Sequence, residues 1–201
     1  MYAARIGNDA VGVDFGGAGL QRGRVRAALL RIPNVQFIEA DLRQLGTLGG
    51  RLGRFDQIIC CETIEHIRDD KKLIADLSRL LKDGGRLLLT TPFKHYRRLL
   101  GDHVSQQEDG AHVRWGYTHD EMRSLFDACG LDVVTEEYVS GLVSQCLTNL
   151  TRILGKVDGR LAWAAVFPLR ALQVLDAPVT QMTRYPSLSI GVVGRRRTFA
   201  V

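Results

Sequence analysis

Little in this chain marks it for export or for the membrane interior. Across its 201 residues no apolar run reaches the roughly 18 uninterrupted residues that a membrane-spanning helix needs. Residues 1–14 lack the long apolar core and the small-residue cleavage site of a secretion signal. Cysteine is sparse. Cys60, Cys61, Cys129 and Cys146 show no CxxC spacing and no metal-ligand pattern with histidine. That excludes a disulfide framework, predicts four reduced thiols and a cytoplasmic location, and leaves no metal site expected. Repeats and low-complexity linkers are missing too. The net charge is only +5, and part of it adjoins in Arg195, Arg196 and Arg197. Such a run reads as a solvated tail rather than a nucleic-acid or anionic-lipid contact.

What is present is ordinary for a globular protein: 45% hydrophobic and 24% charged residues. The length suits one α/β domain with a modest insertion, so a single domain is expected over 1–201. Val11-Gly12-Val13-Asp14 is a short apolar run ending in an acid and followed by Gly16, Gly17 and Gly19. It predicts a strand entering a loop. Helical spacing follows over 20–31, until Pro33. Strands are predicted over 35–40 and 55–61, with a loop over 46–53. The near-continuous apolarity of 55–61 predicts burial on both faces. A helix over 68–81 stops at Gly84-Gly85, and a strand over 86–91 stops at Pro92. Thr118, with Glu121 three residues on, is a capping-box start for a helix that Gly130 ends. Strands at 131–138 and 187–194 flank an apolar, helical insertion of about 141–185. Strands alternating with helices predict a parallel sheet with both faces covered.

Such a sheet binds ligands at the carboxyl ends of its strands. Asp14, Asp41 and Cys61-Glu62 stand there. An acid after a strand can accept both hydroxyls of a ribose, which suits Asp14; it also suits a simple loop cap. Asp41 could accept from the exocyclic amine of an adenine, or cap a short helical turn. The ordered set is more specific than either residue. Val-Gly-Val-Asp (11–14), Gly-Arg-Val-Arg-Ala (23–27), Asn-Val-Gln-Phe-Ile-Glu-Ala-Asp-Leu (34–42), Phe-Asp-Gln-Ile-Ile-Cys-Cys-Glu-Thr-Ile-Glu-His-Ile (55–67) and Leu-Lys-Asp-Gly-Gly-Arg-Leu-Leu-Leu-Thr-Thr-Pro (81–92) together resemble the class I S-adenosylmethionine-dependent methyltransferases. The likeness is to the small-molecule group that includes the quinone-type enzymes. Gly-Tyr-Thr (116–118) and Gly-Leu-Asp-Val-Val (130–134) also look like the family's later part.

The resemblance implies a Rossmann-like α/β sheet and S-adenosyl-L-methionine as cofactor. It implies that Asp14 binds the ribose with Phe15 against the adenine, that Asp41 and Leu42 meet the adenine edge, and that Cys61 lines the methionine end. The family begins with a strand and a glycine-rich loop; the match here begins at the second strand, so the sheet is expected to be incomplete at its N-terminal side. A rival alignment makes 14–19 the loop itself and Asp41 the ribose acid. It leaves no room for the strand normally found between Asp41 and Phe55.

Methyl transfer needs proximity, in-line orientation and sometimes a base. Glu62 and His66 are the candidate catalytic residues, with Glu65 beside them; His66 could equally be satisfied by backbone at a helix start. His95, His103 and His112 lie in an irregular stretch that could cover a substrate. No Asp/Asn-Pro-Pro-aromatic sequence and no Pro-Cys nucleophile is present, which argues against a DNA base as acceptor; only the basic charge suggests a nucleic-acid substrate. The expected partner is a small-molecule or lipid-like methyl acceptor. A methyltransferase fold without activity is the alternative. In the insertion, Leu161, Trp163, Ala164, Val166 and Phe167, then Leu169, Leu172 and Leu175, form two apolar stripes separated by Pro168. A buried cover on the sheet, a lid over the acceptor, a dimer surface and a shallow membrane contact compete there.

Overall fold

The computed structural model describes residues 1–99 and 104–198. They form two compact units, Met1–Gly53 and Arg54–Val201.

The first unit runs α1 (Tyr2–Arg5), β1 (Ala10–Asp14), α2 (Gly17–Leu29), β2 (Val35–Glu39), a 3-10 segment (Leu42–Leu48) and α3 (Gly49–Leu52). β1 and β2 are parallel, in register from Ala10↔Val35 to Asp14↔Glu39. Parallel neighbours need a crossover, and α2 supplies it. Leu20 and Ala27 are its buried residues. Asn34 ties the start of β2 to the preceding chain, donating to Ala4 O at 2.8 Å and to Asn8 O at 2.6 Å. The loop expected over 46–53 is largely helical. Leu45, buried at 2% exposure, anchors those turns, and periodicity over so few residues cannot announce them.

The second unit runs β3 (Phe55–Cys61), a 3-10 turn (Ile64–His66), α4 (Asp70–Leu80), β4 (Leu81–Pro92), α5 (His119–Ala128), β5 (Leu131–Ser140), α6 (Leu142–Gly155), α7 (Gly159–Val166), a 3-10 segment (Pro168–Leu175), α8 (Asp176–Thr183) and β6 (Ser189–Arg196). Its sheet has the order β3-β4-β6-β5. Leu73 and Ile74 of α4, Met122 and Phe126 of α5, and Leu87, Leu89, Leu131 and Ile190 of the strands are almost fully buried and make its core. The capping box forms as the sequence predicts: Glu121 N donates to Thr118 Oγ1 at 3.2 Å, and Thr118 N donates to Glu121 Oε2 at 2.9 Å.

Three expectations fail here. The sheet is mixed, because β6 is antiparallel to both β4 and β5. The chain leaves β5, makes a helical excursion and returns alongside it in the opposite sense, which needs no crossover. Nor is β3 buried on both faces: Cys60 is buried, but Ile59 is 62% exposed. Among the described residues β3 pairs only with β4, and β1 only with β2, so each keeps an open edge and the sheet is incomplete. Finally, the arginine run is no free tail. Arg195 and Arg196 belong to β6, Arg196 donates to Leu81 O, and Arg197 donates to Asp132 at 2.7 Å and to Asp127.

Candidate active site

In the first unit, parallel pairing brings the ends of β1 and β2 to the same edge, with Ala40 N donating to Asp14 O at 3.0 Å. Asp14 and Asp41 therefore follow neighbouring strands at one end of the sheet. Asp14 Oδ1 accepts Gly16 N at 3.0 Å, while Oδ2 lies over the first turn of α2. A Cβ on Gly19 would sit 2.3 Å from Oδ2, so only glycine there leaves the carboxylate its place. Asp14 is exposed, and Oδ2 is open to a donor from solvent. Phe15 follows it, 69% exposed, with the Arg43 guanidinium 5.9 Å from its ring centre. Asp14 and Phe15 thus put an exposed carboxylate and an exposed aromatic ring at consecutive positions after β1.

Asp41 is differently placed. Arg43 donates to it from its backbone N–H and Nε, each at 2.9 Å, and from Nη2 at 2.6 Å. The Arg43 side-chain hydrogen bonds, with its backbone N–H and charge, hold the carboxyl below the usual carboxylate range against the opposing effect of burial. An adenine amine would share this carboxylate with Arg43. Leu42, half-buried, opens the 3-10 segment. Between Asp41 and Phe55 the chain is helical turns, with no strand.

In the second unit, Cys61 ends β3 and is exposed, whereas burial pushes the neighbouring Cys60 thiol up to about 11. Glu62 has φ +46°, a conformation side chains avoid, and its N–H donates to Thr90 O at 2.9 Å. Protein massed round its carboxyl raises the pKa even though water reaches the residue, against the Thr90 hydroxyl and His66. His66 Nδ1 lies 3.1 Å from Ala111 O. A carbonyl only accepts, so Nδ1 carries the proton and the neutral ring keeps its lone pair on Nε2. Backbone thus satisfies one ring nitrogen and leaves the other available.

Glu65 was the less conspicuous of the two glutamates in sequence, yet it is fully buried. Oε2 accepts from the Thr91 hydroxyl at 3.3 Å; Oε1 has no hydrogen-bond partner and lies 3.8 Å from His66 Nε2. Burial, reinforced by the Glu62 charge, pushes its carboxyl up to about 7, against its own backbone, Thr91 and Arg114. His112 meets His66 edge-on with ring centres 4.7 Å apart, because Val113 N donates to Glu65 O at 2.9 Å and draws the irregular stretch onto the turn. Glu65, His66 and His112 each offer one ligand atom within 4.8 Å of the others, close enough to hold a divalent cation. Chain spacing could not show this, since His112 is remote in sequence. His95 is exposed against Phe93, outside this group, and His103 lies outside the described residues.

Sequence reasoning also missed Arg114. It pairs with Asp70, donates to Ile67 O at 2.8 Å and Arg68 O at 2.7 Å, and meets Tyr117 Oη at 2.6 Å. That guanidinium fixes the chain just past His66. Gly116, at φ +111°, lets the following chain close on β4: a Cβ there would fall 2.0 Å from Pro92 O.

A family model described as a methyltransferase domain matches residues 2–136. The ubiquinone biosynthesis O-methyltransferase of Acinetobacter baumannii is 30% identical over 88 residues, which are 44% of this chain and 36% of that protein. The chain thus spans about a third of that curated relative. Among solved structures, an S-adenosylmethionine-dependent methyltransferase from Mesorhizobium loti matches with a TM-score of 0.58 at 14% identity, over 97% of this chain and 84% of that one. The [4+2]-cyclase SpnF matches with a TM-score of 0.59 at 16% identity, over 94% of this chain and 66% of that one. These likenesses agree with the strand–helix order: the chain belongs to the methyltransferase-domain family and has the Rossmann-like fold of class I S-adenosylmethionine-dependent methyltransferases.

Proposed function

We propose that this protein transfers a methyl group from S-adenosyl-L-methionine to a small-molecule, lipid-like acceptor. The observation that carries the cofactor assignment is the edge of the first unit. Asp14, held by the Gly16 N–H and given room by Gly19, accepts the two ribose hydroxyls through its open carboxylate oxygen, and Phe15 lies against the adenine. Asp41, steadied by Arg43, and Leu42 meet the adenine edge. The cofactor supplies an electrophilic methyl on a sulfonium, so the chain's own residues have only to orient and to take a proton.

In the second unit, His66 is the base. Ala111 O holds its proton on Nδ1, and Nε2 accepts the proton of an acceptor hydroxyl. Glu65, 3.8 Å away, stabilises the imidazolium that results once its own proton is lost, above about pH 7. Glu62 stands at the same strand end and accepts from the acceptor's polar group. By the family resemblance, Cys61 is the residue that would line the methionine end. Absence of a DNA-base motif supports a small acceptor, and the apolar insertion supports a lipid-like one.

Calorimetric titration of the protein with S-adenosyl-L-methionine tests the reading. Asp14→Ala is expected to weaken binding by about 1.5–3 kcal/mol, the loss of a charged acceptor from two hydroxyls. Asp41→Ala is expected to cost less, because the adenine keeps its apolar contacts. Parent-like affinity in both variants, each still folded, would refute the placement. The fold of a [4+2]-cyclase is shared here, so a second reading is a methyltransferase fold that does not transfer methyl groups. No heat of binding in the parent favours it.

A further inference from the structure

The helical segment between β5 and β6 does not end as a buried cover on the sheet. α7 buries only Ala162 and Val166, one turn apart, and packs on α6. The following 3-10 segment buries nothing. The remaining apolar side chains face solvent: Leu161 at 69%, Trp163 at 56%, Phe167 at 57% and Val174 at 80% exposure. Trp163 and Phe167 stack, ring centres 4.7 Å apart, and Arg160 lies one turn before Trp163 on the same outward arc.

Charge decides what could cover this surface. Lys156, Arg160 and Arg170 are exposed around it. Between Gly159 and Leu175 there is no acidic residue. The flanking acids are engaged: Asp158 caps α7 by accepting from Arg160 N at 2.8 Å and Leu161 N at 2.9 Å, and buried Asp176 caps α6, accepting from Gly141 N and Val143 N, each at 2.8 Å. A second copy docked on this face would bring like charges together. An anionic, apolar partner meets both its charge and its side chains. Among the described residues no helix is long and apolar enough to cross a membrane, so the contact lies along a surface.

We propose that α7 and the 3-10 segment after it form a membrane-docking face for bilayers containing anionic lipid. Trp163 and Phe167, stacked on one side of α7, enter the acyl boundary, while Lys156, Arg160 and Arg170 reach the headgroups. This inference is independent of methyl transfer, and its test needs no cofactor.

The experiment is co-sedimentation of the whole protein with phosphatidylcholine vesicles, with and without phosphatidylglycerol. Binding is expected on the anionic vesicles and at least about tenfold weaker on the neutral ones, with release by salt. Tryptophan emission is expected to shift to the blue on binding, and the shift to be lost in Trp163→Phe. Trp163→Ser with Phe167→Ser is expected to lower partitioning about tenfold or more. Arg160→Gln and Arg170→Gln are each expected to lower it about fivefold on anionic vesicles and not on neutral ones. If the serine pair fails to fold, the arginine variants and the salt dependence decide alone. Failure of the parent to bind, or binding equal in parent and variants, overturns the proposal. So does self-association without vesicles that the serine pair abolishes, which would make the occupant a second copy.

Discussion

Glu65→Gln isolates the energetic consequence of burying a carboxyl beside the candidate base. Glu65 is fully buried, and its pKa stands at about 7 against an ordinary 4.5, mainly through burial. The sign follows from proton binding. Below the ordinary value both folded and unfolded states hold the proton, and Glu65 costs nothing. As pH rises towards 7 the unfolded chain releases its proton while the folded one keeps it, so stability falls by about 1.4 kcal/mol per pH unit. Above 7 the loss levels off at about 3 kcal/mol, less whatever local relaxation recovers. His66 Nε2, at 3.8 Å, is beyond hydrogen-bond length and offers Glu65 no compensating bond. Glutamine keeps the shape and can still accept from Thr91, but it cannot ionise. The variant should therefore match the parent near pH 4.5 and exceed it by up to about 3 kcal/mol at pH 8. Urea unfolding followed by tryptophan fluorescence measures this, since Trp115 and Trp163 both lie in the second unit. A parent–variant difference that is the same at both pH values, or that favours the parent at pH 8, refutes the argument.

Asp176→Ala should cost about 2–4 kcal/mol, because Gly141, Val143 and Ser144 N–H groups lose their acceptor at the start of α6. Burial opposes its ionisation, but the Ser144 hydroxyl and then those backbone hydrogen bonds outweigh it and hold its pKa below the usual range. Its contribution is therefore present above that range and lost as pH falls through the folded value; a melting-temperature series in acid should show a shallower fall in the variant. Thr118→Ala should cost about 1 kcal/mol by removing the α5 cap, measured as a shift in urea midpoint with unchanged slope.

The parts of this protein legible in its sequence are those where local chemistry and tertiary need coincide. Thr118, Glu121 and Gly130 set the limits of α5 because capping is a matter of a few adjacent residues. Leu73, Ile74 and Leu77 announce α4 because its buried face repeats with the helix. Asp14 and Asp41 stand at strand ends that alternation and breakers locate, so their edge of the sheet follows from pattern alone. What pattern could not give was partnership at a distance. The apolarity of 55–61 states that its side chains prefer burial, not that Ile59 obtains it at an open edge. Arg195, Arg196 and Arg197 look like a tail until Leu81, Asp127 and Asp132 are seen to meet them. His66 carries no mark of His112, and neither glutamate in Glu62-Thr63-Ile64-Glu65 declares which will be sealed inside. The same limit separates the two faces of the insertion. Ala162 and Val166 are less apolar in bulk than Trp163 and Phe167, yet the smaller pair packs on α6 and the aromatic pair faces outward. Hydrophobicity ranks what a side chain would gain from leaving water; geometry decides whether its own chain supplies the place. Along α7 the described residues leave the aromatic pair uncovered, with exposed Arg160 one turn before it, which is the arrangement the docking proposal rests on.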